Sequence, residues 1–259
     1  MGKMIKSIKC ILRNFLPRGI RTHRIWSGLL RGEKIVTSWH DYPAAIFGYT
    51  ERPLVDWFAQ NVNPGQTWLD IGAHYGYTAL ALSRLVGESG RVFAFEPMLG
   101  TAGYLAQTRQ LNHFSQLTVV PFGLASPETL EMIQLPVIRG MVDNTLGRGG
   151  DKRKNEWLET ITVARFDWLW RRICGENGWI DGVKIDVQGM EVQVVRGMSE
   201  VLKQNHPKLV VEVHAGVNRV ELLDLLASAG YTRLGVPIEP LKGESKPLYV
   251  DDRSYAFEI

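Results

Sequence analysis

The sequence predicts an α/β fold with a doubly wound, mostly parallel sheet. Apolar runs rich in β-branched and aromatic residues indicate five buried strands, at 67–72, 91–97, 117–124, 182–189 and 208–214. Helical periodicity separates most of these runs, at 77–87, 99–112, 190–204 and 217–229. Strands that alternate with helices form a parallel sheet covered on both faces, so this order predicts the fold class.

The last part of the chain predicts an antiparallel edge for this sheet. "YTRLGV" at 231–236 and "SYAFEI" at 254–259 have strand character and no long helix between them. Between 125 and 166 the alternation breaks, and a stretch rich in Gly and charge indicates an insertion with short strands and a loop. We expect ligand specificity to lie in residues 138–157 and in the segment before residue 60.

Composition is that of an ordinary globular protein. The 259 residues are 45% apolar and 22% charged, enough to bury the core of one large domain or of a domain with an appendage. Cys10 and Cys174 form neither a disulfide framework nor the paired spacing of a zinc site. We therefore expect a reducing, cytoplasmic setting.

Positive charge is concentrated at the start of the chain. Residues 1–34 contain nine Lys or Arg against one Glu and carry +8, which leaves −5 for the remainder of a chain whose net charge is +3. No aromatic and basic binding motif accompanies this charge, so no nucleic-acid partner is predicted. The division expected is a basic N-terminal helical arm over 1–45 and a catalytic domain over 46–259.

Residues 1–16 have the period of an amphipathic helix, which Pro17 ends. Lysines interrupt the apolar stretch, so it is neither a signal-peptide core nor a membrane span. Two interpretations remain open. The helix lies on an anionic membrane surface, as a peripheral contact at the inner face, or it packs on its own domain.

A carboxylate ends the first predicted strand, within "WLDIGAHYGYTALAL" at 68–82. The spacing is D-x-G-x-x-x-G, with Asp70 followed by Gly72 and Gly76, and ligands of such sheets bind beyond the carboxyl ends of the strands. A dinucleotide site would show G-x-G-x-x-G instead, with glycines around a pyrophosphate. The acid in first place favours a cationic ligand.

A second acid, Glu96, ends the next strand 20 residues after Gly76. In this architecture a carboxylate at that point accepts hydrogen bonds from both ribose hydroxyls. A nucleoside with positive charge satisfies both acids, which predicts S-adenosyl-L-methionine as cofactor. An NAD-binding oxidoreductase of the Rossmann type remains the alternative. The predicted cofactor-binding residues are Asp70, Gly72, Ala73, His74, Gly76, Glu96 and Pro97.

Four segments together resemble the FkbM-type S-adenosylmethionine-dependent methyltransferases. They are "WLDIGAHYGYTALAL", "VFAFEP", "VKIDVQGMEVQVVRG" and "PKLVVEVH", and the resemblance runs from about residue 47 to 235. It implies a Rossmann-like methyltransferase sheet and methyl transfer to oxygen, on a hydroxyl of a sugar, a glycan or another secondary metabolite. The family signature K-I-D-V-E-G-x-E has Gln188 here in place of its first Glu. Glu51 resembles a family position that closes over the site, which makes it a candidate substrate contact.

Polar residues at the ends of the fourth and fifth strands are the catalytic candidates: Asp186, Glu191, Glu212 and His214. An alcohol is a poor nucleophile, so a base within reach of its proton assists transfer. Asp186 is expected to orient the acceptor, and His214 is expected to be the base because its ordinary pKa is near 6.5. A divalent metal on three of these residues or a purely structural polar network remain alternatives, and no metal is expected. Because Gln188 replaces a Glu of the family signature, a second alternative remains: a non-catalytic protein on the same fold that binds a membrane or a partner.

Overall fold

The computed structural model describes residues 15–138, 141–142, 158–175, 178–244 and 246–259. Its strands are β1 (Arg21–Arg24), β2 (Lys34–Thr37), β3 (Thr67–Ile71), β4 (Arg91–Phe95), β5 (Leu117–Val120), β6 (Gly123–Ala125), β7 (Glu131–Ile138), β8 (Met141–Val142), β9 (Leu158–Arg165), β10 (Gly182–Ile185), β11 (Lys208–Val213), β12 (Val236–Pro237) and β13 (Arg253–Phe257). Its helices are α1 (Pro43–Phe47), α2 (Arg52–Asn61), α3 (Tyr77–Val86), α4 (Leu99–Leu111), α5 (Phe166–Cys174), α6 (Glu191–Gly197), α7 (Ser199–Asn205) and α8 (Arg219–Ser228).

Seven strands form the main sheet in the order β12-β13-β11-β10-β3-β4-β5. The five central strands are parallel, and β13 pairs antiparallel with both β11 and β12. The predicted fold class is confirmed, with an antiparallel C-terminal edge. The edge strand predicted at 231–236 is wrong in its bounds, because β12 is only Val236–Pro237. Strand order reverses between β3 and β10, and a crevice for a ligand opens at such a switch point.

Alternate residues of the central strands enter two different cores. Leu69 and Ile71 of β3 pack in a cluster with β10 and β11 residues on one face, whereas Trp68 packs in a second cluster on the other face. Because successive side chains of a strand point to opposite faces, one apolar run supplies both layers.

Two of the predicted elements are interrupted. The predicted strand 117–124 is divided at Pro121 into β5 of the main sheet and β6, which pairs with β9 in a four-stranded sheet of order β6-β9-β7-β8. Proline has no N–H to donate to a strand neighbour, so the ladder stops there. The predicted helix 190–204 is divided into α6 and α7 at Met198. Gly197 packs so closely on β6 that an added Cβ would lie 1.8 Å from the Ala125 carbonyl oxygen.

The N-terminal segment that the structure describes is not helical before residue 43. β1 and β2 pair with each other, and the Val36 amide donates to Thr108 Oγ1 of α4 at 2.9 Å. Ile25, Leu30 and Ile35 are buried against α3 residues, because this segment needs a partner for its apolar side chains. The predicted helix 1–16 lies outside the described residues except for its last two, so its membrane contact stays a prediction. The domain division at residue 45 also stays a prediction.

No helix in the described part of the chain combines the length and the apolar character needed to cross a membrane.

Candidate active site

A cavity of about 300 Å³ lies at the carboxyl ends of β3, β4, β10 and β11. Its size is that of a small-molecule site. One part of its wall is apolar and includes Phe95, Leu124, Ile161 and Val163. Another part is charged and is made by Glu51, Lys184, Asp186 and Glu212.

The turn after β3 forms one side of the cavity. The Gly72 and Ala73 amides both donate to the Phe95 carbonyl oxygen at 3.0 Å, which joins the turn to the end of β4. Gly72 has φ +83°, and a Cβ placed on it would lie 1.8 Å from the Asp186 carbonyl oxygen. Only a residue without a side chain allows these two loops to approach so closely.

Asp70 lies behind this turn and outside the cavity wall. It is fully buried, Thr78 Oγ1 donates to its Oδ2 at 2.7 Å, and Lys184 Nζ is 3.2 Å from its Oδ1. Gly76 also lies behind the wall, against Leu105. The other predicted cofactor residues, Gly72, Ala73, His74, Glu96 and Pro97, line the cavity. A direct ligand contact for Asp70 stays a prediction, and its contacts here are those of a group that supports the turn.

Glu96 is a buried carboxylate in the cavity wall. Its Oε2 accepts from the His74 amide at 2.9 Å, and its Oε1 accepts from the Met98 amide at 3.0 Å. Each oxygen keeps acceptor capacity for a ligand hydroxyl. Burial raises the pKa of Glu96 to about 7, although the two amides oppose that shift.

Lys184 is the buried cation of the site. Its Nζ lies 3.2 Å from Asp70 Oδ1 and 3.2 Å from Asp186 Oδ2, and it donates to the Gly72 carbonyl oxygen at 3.1 Å. Burial opposes its charge, but the surrounding carboxylates, Asp186 first, raise the pKa of Lys184 above its usual range. Burial would raise the pKa of Asp186, but Lys184 and His214 hold it below its usual range. Asp186 is therefore ionised at neutral pH.

His214 is 1% exposed and lies behind the cavity wall. Its Nδ1 is 2.6 Å from Glu191 Oε1, and its Nε2 is 3.4 Å from Glu212 Oε1 and 3.5 Å from Asp186 Oδ1. Burial would lower the pKa of His214, but the hydrogen bonds to Glu191 and Glu212 and the charge of Asp186 raise it to about 11. An imidazolium already holds its proton, so this raised pKa disfavours His214 as the base and favours it as a positioning cation. Glu191 in turn orients the His214 ring.

The Gln188 side-chain amide lies 2.9 Å from His214 Nε2 and 3.4 Å from Asp186 Oδ1. Gln188 Nε2 makes both contacts and donates to Asp186 Oδ1, so this amide joins Asp186 to the His214 ring. Gln188 has φ +49°, which aims the turn after β10 at the cavity.

Glu51 and Glu212 are, like Glu96, wall carboxylates with raised pKa values. Burial and the charges of Glu212 and Asp186 raise the pKa of Glu51 to about 7. Burial and Asp186 also raise the pKa of Glu212, and Ser254 Oγ donates to its Oε2 at 3.2 Å. A base works best when its pKa is near the working pH, so Glu51, with a pKa of about 7, is better suited to take a proton than His214.

One ligand atom each from Asp186, Glu212 and His214 lies within 4.8 Å of the other two, a set that could hold a divalent cation. Such a cation would polarise an acceptor hydroxyl. Lys184 and the His214 imidazolium already supply positive charge to the same carboxylates.

Several wall residues were not among the predicted ones. Asp41 and Tyr42 lie in the segment interpreted as an arm, and Ile161 and Val163 come from β9 of the insertion. Their approach depends on tertiary packing of distant segments, and no local sequence pattern marks it. The sequence does indicate Lys184 as a site residue. Alternate residues of a strand share a face, and Lys184 lies two residues before Asp186.

Comparison with solved structures identifies the fold. The fold is that of the S-adenosylmethionine-dependent methyltransferases: an Aeropyrum pernix fibrillarin structure with bound S-adenosyl-L-methionine aligns with a TM-score of 0.50 and 15% identity, over 93% of this chain and 83% of that one. A Methylobacillus flagellatus FkbM methyltransferase structure aligns with a TM-score of 0.48 and 16% identity, over 78% of this chain. This chain spans half of the length of that structure.

The Methyltransferase FkbM domain model matches residues 70–233, and the chain belongs to this family. It is 30% identical over 182 residues to the hexuronic acid methyltransferase AglP of Haloferax volcanii, a match that covers 69% of each chain. The chain is therefore a methyltransferase that depends on S-adenosylmethionine. The oxidoreductase alternative is wrong.

Proposed function

We propose that this enzyme transfers a methyl group from S-adenosylmethionine to a hydroxyl oxygen of a sugar, within a glycan or another secondary metabolite. The observation that carries the proposal is the composition of the cavity wall. An apolar part, the ribose-type carboxylate Glu96 and an acidic part share one space.

The wall fits the cofactor part by part. Leu124, Ile161 and Val163 offer an apolar surface for a flat base, and Glu96 offers two oxygens to a ribose diol. The acidic part, where Asp186 is ionised, suits the positive charge of a sulfonium. When bound, the cofactor supplies an electrophilic methyl group.

The acidic part also suits a hydroxyl acceptor. Asp186 accepts a hydrogen bond from the hydroxyl and orients its oxygen, and much of the catalysis comes from that positioning. Glu51 lies in the same wall and takes the proton, because its pKa of about 7 leaves a large share of it ionised at neutral pH. Glu212 is the second candidate for this role.

The AglP relative supports a saccharide acceptor, and a uronic acid has both hydroxyl and carboxylate oxygens. The wall carboxylates Glu51, Asp186 and Glu212 repel an acceptor carboxylate at the reacting position. We therefore favour the hydroxyl and formation of a methyl ether.

Incubation of the protein with methyl-labelled S-adenosylmethionine and a glucuronic-acid-containing tetrasaccharide tests this proposal. Mild alkali hydrolyses a methyl ester and leaves a methyl ether intact, so retained label identifies a hydroxyl acceptor. Label that alkali releases would identify the carboxylate and overturn the hydroxyl assignment. Absence of transfer to this and to neutral oligosaccharides would overturn the saccharide class. Asp186→Asn is the matched negative control, since it removes the orienting charge without changing the side-chain volume.

A further inference from the structure

An aromatic cluster stands beside the cavity and has no role in the chemistry described above. It consists of His23, Trp26, Trp39, Phe47 and Tyr49. Phe47 is central, with ring centroids 5.1 Å from Trp26, 5.3 Å from Trp39 and 5.8 Å from Tyr49. Trp26 is 56% exposed and Tyr49 is 57% exposed. Two large rings thus remain in water although they belong to a packed cluster.

Hydrogen bonds to backbone carbonyl oxygens hold the segments that carry the two exposed rings in a fixed arrangement. The Trp26 amide donates to the Ile46 carbonyl oxygen at 3.0 Å, and Ser27 Oγ donates to the Phe47 carbonyl oxygen at 2.6 Å. The Tyr49 amide donates to the Ala44 carbonyl oxygen at 3.1 Å. An arrangement of this kind limits the entropy that the rings lose when a ligand binds.

The same short stretch of chain also forms the cavity wall. Tyr42 and Ala44 precede Phe47 and line the cavity, and Thr50 and Glu51 follow Tyr49 directly and line it as well. Residues 42–51 therefore contribute both to the cavity wall and to the aromatic cluster.

We propose that Trp26 and Tyr49 form a saccharide-binding subsite for the sugar units next to the one that is methylated. This inference rests on the proposed function, because it assigns neighbouring units to the same acceptor. The C–H groups of a pyranose face carry partial positive charge and pack against the electron-rich face of an aromatic ring. Burial of exposed aromatic surface adds to the binding free energy. Trp and Tyr also occur at membrane surfaces, but the packed cluster and its continuity with the cavity favour a sugar.

The test compares a long and a short acceptor. Methyl glucuronide is the short probe, and a glucuronic-acid-containing tetrasaccharide is the long one. The subsite predicts a lower KM for the tetrasaccharide in the wild-type enzyme. Trp26→Leu and Tyr49→Ala should each raise that KM about 3- to 10-fold and leave the KM for methyl glucuronide unchanged. Melting temperature and cofactor affinity identify a variant that fails to fold, and Tyr49→Ala then carries the test.

Trp179→Ala is the matched control. Trp179 is 55% exposed and precedes the amino end of β10, whereas the cavity lies at the carboxyl ends of the strands. An unchanged tetrasaccharide KM in both cluster variants, or an equal rise in Trp179→Ala, would overturn the subsite. Loss of binding to anionic phosphatidylglycerol vesicles in the cluster variants, with saccharide KM unchanged, would assign the cluster to a membrane instead.

The two proposals fail in different ways. If the wild-type enzyme methylates neither probe, the proposed function fails, and the subsite is judged by binding alone. Saturation-transfer NMR then reports whether the tetrasaccharide contacts aromatic protons. A signal that Trp26→Leu removes and Trp179→Ala keeps supports the subsite, and a signal absent from the wild type overturns it.

Discussion

Glu96→Gln separates the role of this carboxylate in cofactor binding from its role in the fold. The substitution keeps the side-chain volume and removes the charge and one acceptor oxygen. In the wild type the two oxygens already accept from the His74 and Met98 amides at 2.9 and 3.0 Å, and we propose that they also accept from the ribose hydroxyls. The side chain of Gln has only one acceptor oxygen, so it cannot accept from both backbone amides and both ribose hydroxyls.

The expected loss of affinity follows from the charge of the lost acceptor. A hydrogen bond to a charged group contributes about 1.5 to 3 kcal/mol, so S-adenosylhomocysteine should bind about 10- to 150-fold more weakly to the variant. Isothermal titration calorimetry at pH 8 measures this difference.

The Glu96→Gln variant should be no less stable to unfolding than the wild type at pH 8, because the pKa of Glu96 is raised in the folded protein. The pKa of Glu96 is raised from 4.5 to about 7, so its stabilising contribution is present below pH 4.5 and is lost as the pH rises through about 7. At pH 8 the ionised group costs about 3 kcal/mol, which Gln removes. The mismatched amide costs about 1 to 3 kcal/mol in return. The melting temperature at pH 8 should therefore equal that of the wild type or exceed it by up to about 8 °C.

The same pKa predicts a pH dependence of cofactor binding. If the ionised carboxylate binds the ribose, wild-type affinity falls about tenfold between pH 8 and pH 6, and the affinity of Glu96→Gln does not. An unchanged dissociation constant in the variant at pH 8 would refute the assignment of Glu96 to the ribose. A wild-type affinity that is flat between pH 6 and 8 would refute the link between its pKa and binding.

Four further outcomes test the rest of the site. Asp186→Asn should lower kcat about 100-fold and leave cofactor affinity within about threefold, since it acts on the acceptor; an unchanged kcat would exclude the orienting role. His214→Gln should also lower kcat, yet the rise of wild-type activity near pH 7 should persist in its pH profile, because Glu51 and not His214 titrates there. Gly72→Ala should lower the melting temperature by several degrees, as its Cβ would lie 1.8 Å from the Asp186 carbonyl oxygen; an unchanged melting temperature would contradict this close contact. Millimolar EDTA should not change the rate, and a rate that EDTA abolishes and Mg²⁺ or Mn²⁺ restores would place a cation on Asp186 and His214.

The fold was predictable where one residue pattern indicated both the type of secondary structure and its burial. The apolar run at Leu69 and Ile71 predicts a strand buried on both faces, and the sheet places it at the centre. The boundary at Pro121 was missed because an apolar run continued through it, although the missing N–H of proline is a local signal. The strands of the N-terminal segment were missed because they are short and depend on contacts such as Val36 to Thr108.

The site was predictable in position and less so in chemistry. Polar residues at strand ends placed Glu96, Asp186 and Glu212 around one cavity, as the parallel sheet requires. The pKa of His214 could not follow from its place on a strand, because it depends on Glu191, which is 23 residues away in sequence. A histidine near its ordinary pKa is a base, and the same histidine between carboxylates is a cation.

The charge balance of the site explains how Gln188 is compatible with activity. Carboxylates outnumber the two buried cations, Lys184 and His214, and this excess of negative charge contributes to the raised pKa of Glu51. A Glu at position 188 would add one more negative charge beside Asp186. The side-chain nitrogen of Gln188 still contacts His214 Nε2 and donates to Asp186 Oδ1, so this link is kept while the local negative charge is lower by one. The departure from the family signature therefore changes the electrostatic potential that the acceptor meets and keeps the hydrogen-bond network that positions Asp186.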